Sequence, residues 1–155
     1  MHRAYLSLGT NVGDRRAHLS DGVRLVAKDD AYRVSNVYET EPVGGVEQPT
    51  FWNLVMELIT EADPRELLAR ARHAEEARER TRDVRWGPRT LDVDVLLVGH
   101  QISSDPDIIV PHPRMRERRF VLVPLAELAP ELVDSATLQA AHGQVALLGT
   151  LDSLR

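Results

Sequence analysis

The sequence predicts an α+β sandwich in which a mainly antiparallel sheet carries helices on its faces. Three observations predict it. Short stretches with alternating polar and apolar residues recur along the chain. Two helical patterns with recognisable caps separate some of them. The second and third stretches are joined by a loop instead and read as a long hairpin.

Residues 3–9 alternate and end in Gly9, giving the first strand. Thr10 to Asp14 follow as a tight turn, because Asn11 and Gly13 tolerate positive φ. Asp14 caps a helix to about Lys28, with Leu19, Val23 and Val26 on one face. A strand–turn–helix unit invites comparison with phosphate-binding loops. The chain has neither GxxxxGK[ST] nor GxGxxG here, so the turn reads as structural. Residues 31–39 set Tyr32, Val34, Asn36 and Tyr38 against Arg33, Ser35, Val37 and Glu39, a half-exposed strand.

Residues 40–50 hold two prolines and two glycines, so they form a loop long enough to be functional. Residues 51–60 are the third strand. Asn53 interrupts its apolar run on the same face as Phe51, and a buried amide needs partners. Either it is satisfied within the core, or it reads the edge of a ligand stacked on Phe51. Asp63-Pro64 starts the second helix, a cap followed by proline at the first helical position, and it runs to about Arg80. A fourth strand begins at Asp92.

A turn at Gly99-His100-Gln101 leads to a short strand near Ile102. Residues 108–113 are extended and hold His112 between Pro111 and Pro113. Phe120 to Leu128 reads as a buried helix with Pro124 near its start. A weak helix near Leu138 to His142 and a weak strand around Val145 to Leu148 complete the chain. The order β-α-β-β-α-β is the split βαβ arrangement of a ferredoxin-like, α-β-α layered sandwich. With 155 residues, one domain over 1–155 is expected, large enough to bury a core.

The net charge of -5 argues against general nucleic-acid binding. Without cysteine there is no disulfide framework, and zinc would have only His and carboxylate ligands. The N-terminal residues lack the apolar core of a signal peptide, and no run is long enough to span a membrane. A soluble, cytoplasmic monomer acting on small molecules is expected, with no nucleic-acid or membrane partner.

The chemistry concentrates in Arg85-Trp86-Gly87-Pro88-Arg89-Thr90-Leu91-Asp92-Val93-Asp94. Side chains two apart on a strand share a face, so Asp92 and Asp94 stand roughly 6.5–7 Å apart. Two carboxylates that close repel unless positive charge lies between them. A divalent cation with a preference for hard oxygen, such as magnesium, is the simplest candidate. The plain alternative is a solvated strand end beside basic neighbours. Arg78, Arg80, Arg82, Arg85 and Arg89 follow one another closely. Pairs with Glu75, Glu76 and Glu79 along the helix account for Arg78 better than for the arginines beyond it.

These ten residues resemble the signature of the 6-hydroxymethyl-7,8-dihydropterin pyrophosphokinase family. Gly9-Thr10-Asn11, Tyr38 to Gly44, Gln48 to Asn53, Val110 to Pro113 and Arg118-Arg119-Phe120 are similar to further segments of that family. The resemblance implies transfer of pyrophosphate from ATP to a pterin alcohol in folate biosynthesis. It implies that Asp92 and Asp94 carry two Mg2+ ions bridging the phosphates of ATP, the co-substrate. Phe51 and Phe120 would sandwich the pterin. Asn53, Asp92 and the segment with Thr40, Pro42 and Val43 would read its polar edges. Arg80, Arg82, Arg89, His112 and Arg118 would hold the nucleotide, with Glu75, Trp86 and Val95 beside it. Arg82 and Arg89 join the two aspartates as catalytic candidates.

The chain departs from the family pattern in three places. Glu79 stands where a glycine is common, Phe51 where a tyrosine is frequent, and Pro113 where the residue is often aromatic or polar. Two other classes stay open on the residues alone. One is a module that binds nucleotide or pterin without chemistry. The other is an RNA-binding sheet, which the acidic charge disfavours.

Overall fold

The computed structural model describes residues 1–41, 48–79 and 90–154. The first alternating stretch forms β1 (His2–Thr10), which runs the full length of β4 (Phe51–Thr60) from His2↔Thr60 to Thr10↔Trp52. On its other side lies β5 (Asp92–Val98). The expected second strand is two, β2 (Ala31–Val34) and β3 (Val37–Thr40), both paired with β4. Ser35 explains the break. Its N–H donates to the Val55 carbonyl, but its hydroxyl, not its carbonyl, accepts from the Val55 N–H. A side chain thus takes the place of one ladder acceptor and the strand is interrupted.

Helix α1 (Arg15–Ala27) is capped by Asp14, whose carboxylate accepts from the Ala17 N–H. Helix α2 (Pro64–Glu79) begins where Asp63 accepts from the Glu66 N–H. Both helices cover one sheet face. Leu6 and Leu8 of β1, Leu54, Met56 and Leu58 of β4, and Val93 and Val95 of β5 pack there with Leu19, Val26 and Leu67. Each such burial stabilises by roughly 1.5–3 kcal/mol.

The hairpin of β6 (Ser103–Asp105) and β7 (Ile108–Val110) follows, then a cis Val110–Pro111 bond. Helix α3 (Arg119–Leu128) covers the second face, where Val121 and Leu125 meet Tyr5, Val55 and Leu96. Pro124 lies in the middle of α3, not near its start, and cannot donate to the Phe120 carbonyl. Helix α4 (Ser135–Ala140) sits slightly earlier than expected. The C-terminal strand β8 (Val145–Gly149) pairs with β3 and becomes a sheet edge.

The main sheet therefore reads β5-β1-β4-β3-β8, with β2 also on β4, and all its pairings are antiparallel. The core order and the helices on both faces are those of the expected ferredoxin-like, α-β-α layered sandwich. No helix among the described residues is long and apolar enough to cross a membrane.

Candidate active site

Register places the two aspartates. Asp92 lies opposite Gly9 and Asp94 opposite Ser7, so both carboxylates share the second face. They lie beyond the part that α3 covers. A bulge between Tyr5 and Leu6 makes Leu97, not Leu96, the partner of Tyr5. Leu96 and Leu97 then both reach the second cluster, and the acidic end of β5 passes directly into a covered end. Val95 is buried in the first core, so its side chain does not reach the carboxylates.

Gly9 also pairs with Asn53. Asp92, Gly9 and Asn53 thus form one row across three strands, and Tyr38 continues it. Asn53 is almost fully buried, and its Nδ2 donates to Thr40 Oγ1 at 2.9 Å. Thr40 pairs with Phe51, which is half-buried on the same face. Thr40, Phe51, Asn53, Asp92 and Asp94 therefore lie in neighbouring positions on one sheet face.

His112 approaches from beyond the sheet edge. Its N–H donates to the Leu96 carbonyl at 2.9 Å, which ties the Pro111-His112-Pro113 segment to β5. Its Nδ1 accepts from the Arg114 N–H, so the neutral ring carries its proton on Nε2. Nε2 lies 4.0 Å from Asp94 Oδ1. Burial pushes the imidazole below its ordinary range; Asp94 pulls upward, and Arg118 and Arg114 push down again.

Phe120 stands in the first turn of α3, partly buried against the second cluster, with the Arg118 guanidinium 5.6 Å from its ring centroid. The Arg119 N–H donates to the His142 carbonyl, and the His142 N–H to Glu117, so the C-terminal segment braces this turn. Glu75 accepts from the Val93 N–H at 2.9 Å, anchoring α2 beside the start of β5. Arg78 donates to His18 Nδ1 at 2.9 Å and pairs with Asp21, so it reaches across to α1. Pro42, Val43, Arg80, Arg82, Trp86 and Arg89 lie outside the described residues.

Sequence reasoning missed the brace formed by the β1–α1 turn. Thr10 donates to the Thr90 carbonyl, and Asn11 to Gln48 Oε1 at 3.0 Å and to the Pro49 carbonyl. Arg15 donates to the Thr50 carbonyl at 2.9 Å and stacks on Trp52 at 4.4 Å. The turn thus grips the chain at 48–50 and at Thr90. A polar turn leading into an arginine was the available signal.

Among the described residues no three His, Asp or Glu side chains converge as a metal cage. Two carboxylates on one face do suit magnesium, which keeps water and phosphate oxygens as its other ligands.

The family model of 7,8-dihydro-6-hydroxymethylpterin-pyrophosphokinase (HPPK) matches residues 5–130. The chain belongs to this family. The HPPK match runs from β1 through α3 and so includes Thr40, Phe51, Asn53, Asp92, Asp94, His112 and Phe120. Two curated relatives are named 2-amino-4-hydroxy-6-hydroxymethyldihydropteridine pyrophosphokinase. That of Bacillus subtilis is 45% identical over 137 residues, 86% of this chain and 82% of the relative. That of Methylorubrum extorquens is 45% identical over 136 residues, 86% of each. A solved Plasmodium falciparum HPPK-DHPS shares the fold of this HPPK chain, with a TM-score of 0.62 at 16% identity. The likeness covers 99% of this chain and 43% of that longer one.

Proposed function

We propose that the chain transfers pyrophosphate from ATP to 6-hydroxymethyl-7,8-dihydropterin. The pterin hydroxymethyl oxygen forms a bond to the β-phosphorus. The bond from that phosphorus to the bridging oxygen breaks, and AMP leaves with that oxygen. The products are the pterin diphosphate and AMP, with the hydroxyl proton released to water. One observation carries the reading: the two aspartates and Asn53 lie in adjoining rows of one sheet face, joined through Gly9.

Transfer of this kind needs alignment and charge stabilisation more than covalent help from the protein. Asn53 and Thr40 present hydrogen-bonding groups to a ring edge, with Phe51 and Phe120 available to its faces. Asp92 and Asp94 would hold the expected two magnesium ions. When bound, magnesium neutralises phosphate charge and orients the reacting groups. His112, neutral and carrying its proton on Nε2, directs a donor toward the Asp94 side of the site. Arg118 adds permanent positive charge there. Arg80, Arg82 and Arg89 are proposed from the sequence to grip the phosphates.

The test is product analysis with pterin alcohol, ATP and magnesium. AMP and a pterin diphosphate are expected, with no turnover after chelation of the metal. ADP and a pterin monophosphate would overturn the proposal.

A further inference from the structure

Gly9 is not a turn glycine. It lies within β1, one residue before the strand ends, and pairs with Asn53 on one side and Asp92 on the other. The positive-φ glycines among the described residues are Gly13, Gly99, Gly143 and Gly149. Backbone freedom therefore does not account for glycine here.

Space does. A Cβ at Gly9 would meet Asn53 Oδ1 at 2.5 Å and Asn53 Cγ at 3.6 Å. The Asn53 amide thus lies across the bare backbone of Gly9, with its oxygen in the volume a side chain would take. Its Nδ2 is held from the other direction by Thr40 Oγ1 at 2.9 Å. The amide is clamped by the Thr40 hydroxyl, in a volume that the bare backbone of Gly9 leaves free. Any residue with a Cβ would force it to rotate, because the nearest clashing atom is the end of a side chain, not backbone. Rotation would break the Thr40 bond and turn the carbonyl away.

We infer that Gly9 is a specificity-determining positioning residue: by lacking a side chain it leaves room for the one direction of the Asn53 amide that the Thr40 bond holds, and so sets the hydrogen-bonding edge offered to the heterocycle. This rests on the proposed pterin reading of Asn53. Gly9 itself need not touch the ligand.

The experiment is a double-mutant cycle of Gly9→Ala and Asn53→Ala, reading the Kd of the pterin alcohol, the Kd of a non-hydrolysable ATP analogue with magnesium, and Tm. Gly9→Ala is expected to weaken pterin binding about tenfold, within the range for a misdirected buried hydrogen bond. Nucleotide affinity is expected to hold. In the Asn53→Ala background the added methyl should have no further effect on pterin Kd. Equal loss in both backgrounds would mean that the methyl blocks the ring directly, and would overturn the inference. So would an Asn53→Ala variant that binds pterin like the native protein.

A ligand-free measurement separates this from the functional reading. Gly9→Ala should shift the Asn53 side-chain NH2 signals in the 15N spectrum without any substrate. Unshifted signals would refute the clamp even if AMP release is normal. Failed AMP release with shifted signals would sink only the reaction. If Gly9→Ala does not fold, removing the clash with Asn53→Ala should restore folding, and failure to restore it counts against the inference.

Discussion

His112 Nε2 stands 4.0 Å from Asp94 Oδ1, while the same ring accepts from the Arg114 N–H through Nδ1. The backbone thus fixes which nitrogen faces the carboxylate. The ring also comes from outside the sheet, held at its own N–H by Leu96. An edge residue and a strand residue 18 apart in sequence number are thereby set at one place.

His112→Ala is expected to raise the KM for ATP by about tenfold to a hundredfold, the range for removing an orienting partner beside a metal site. Pterin affinity should be unchanged, because Asn53, Thr40 and Phe51 are on the far side of the row. Steady-state kinetics in each substrate checks this. An equal loss for both substrates would place His112 elsewhere in the scheme.

Asp94→Ala is expected to cut turnover at least about a hundredfold, exceeding the effect of an outer partner. Tm should hold or rise slightly, since a half-exposed like charge is removed from beside Asp92. Turnover assays with a thermal melt decide it. A collapsed Tm would mean that the carboxylate is structural.

Arg33 forms a two-point pair with Glu57, whose side chain is 5% exposed, and also donates to the Leu128 carbonyl. Tyr5 donates to the same carboxylate at 2.7 Å. The Arg33 bonds, with Tyr5 helping against burial, hold Glu57 below its ordinary range. Arg33→Ala would leave that carboxylate buried with Tyr5 as its remaining hydrogen-bond donor among the described residues. The cost expected is about 2 kcal/mol, reduced from the fully buried case because Arg33 itself is well exposed. Urea denaturation measures it. Glu57→Gln should cost less, since no charge is then stranded.

His18 is buried, and burial together with the Arg78 charge pushes its imidazole below 6.5; Asp14 and Asp21 oppose. The unfolded chain therefore binds the proton more readily than the folded one. Stability is fully present above about 6.5 and is lost as pH falls through the lower folded value. Protonation would also remove the Nδ1 acceptor that Arg78 uses. The fall in Tm between pH 7.5 and pH 5 should be smaller in His18→Gln, which keeps an acceptor but does not titrate. Identical slopes would show that His18 contributes nothing in this window.

Much of this protein is legible in its residues, because the signals are local. Strand periodicity, the Asp14 and Asp63 caps and the Asp92–Asp94 spacing depend on neighbours a few positions away. Such features survive without knowledge of the rest of the chain. The splitting of the second strand was not legible, since it depends on Ser35 meeting Val55 from another strand. The position of Pro124 within α3 was missed because an apolar run does not mark where its first turn begins.

The sequence by itself determined the sandwich, the family and the placement of two carboxylates on one strand face, through periodicity and a dense local signature. Only tertiary structure decided that the face is shared with Asn53 through Gly9, that His112 meets Asp94, and that Val95 turns away. Those relations follow from register between distant strands and from the volume of side chains that meet across them. No single segment encodes either one.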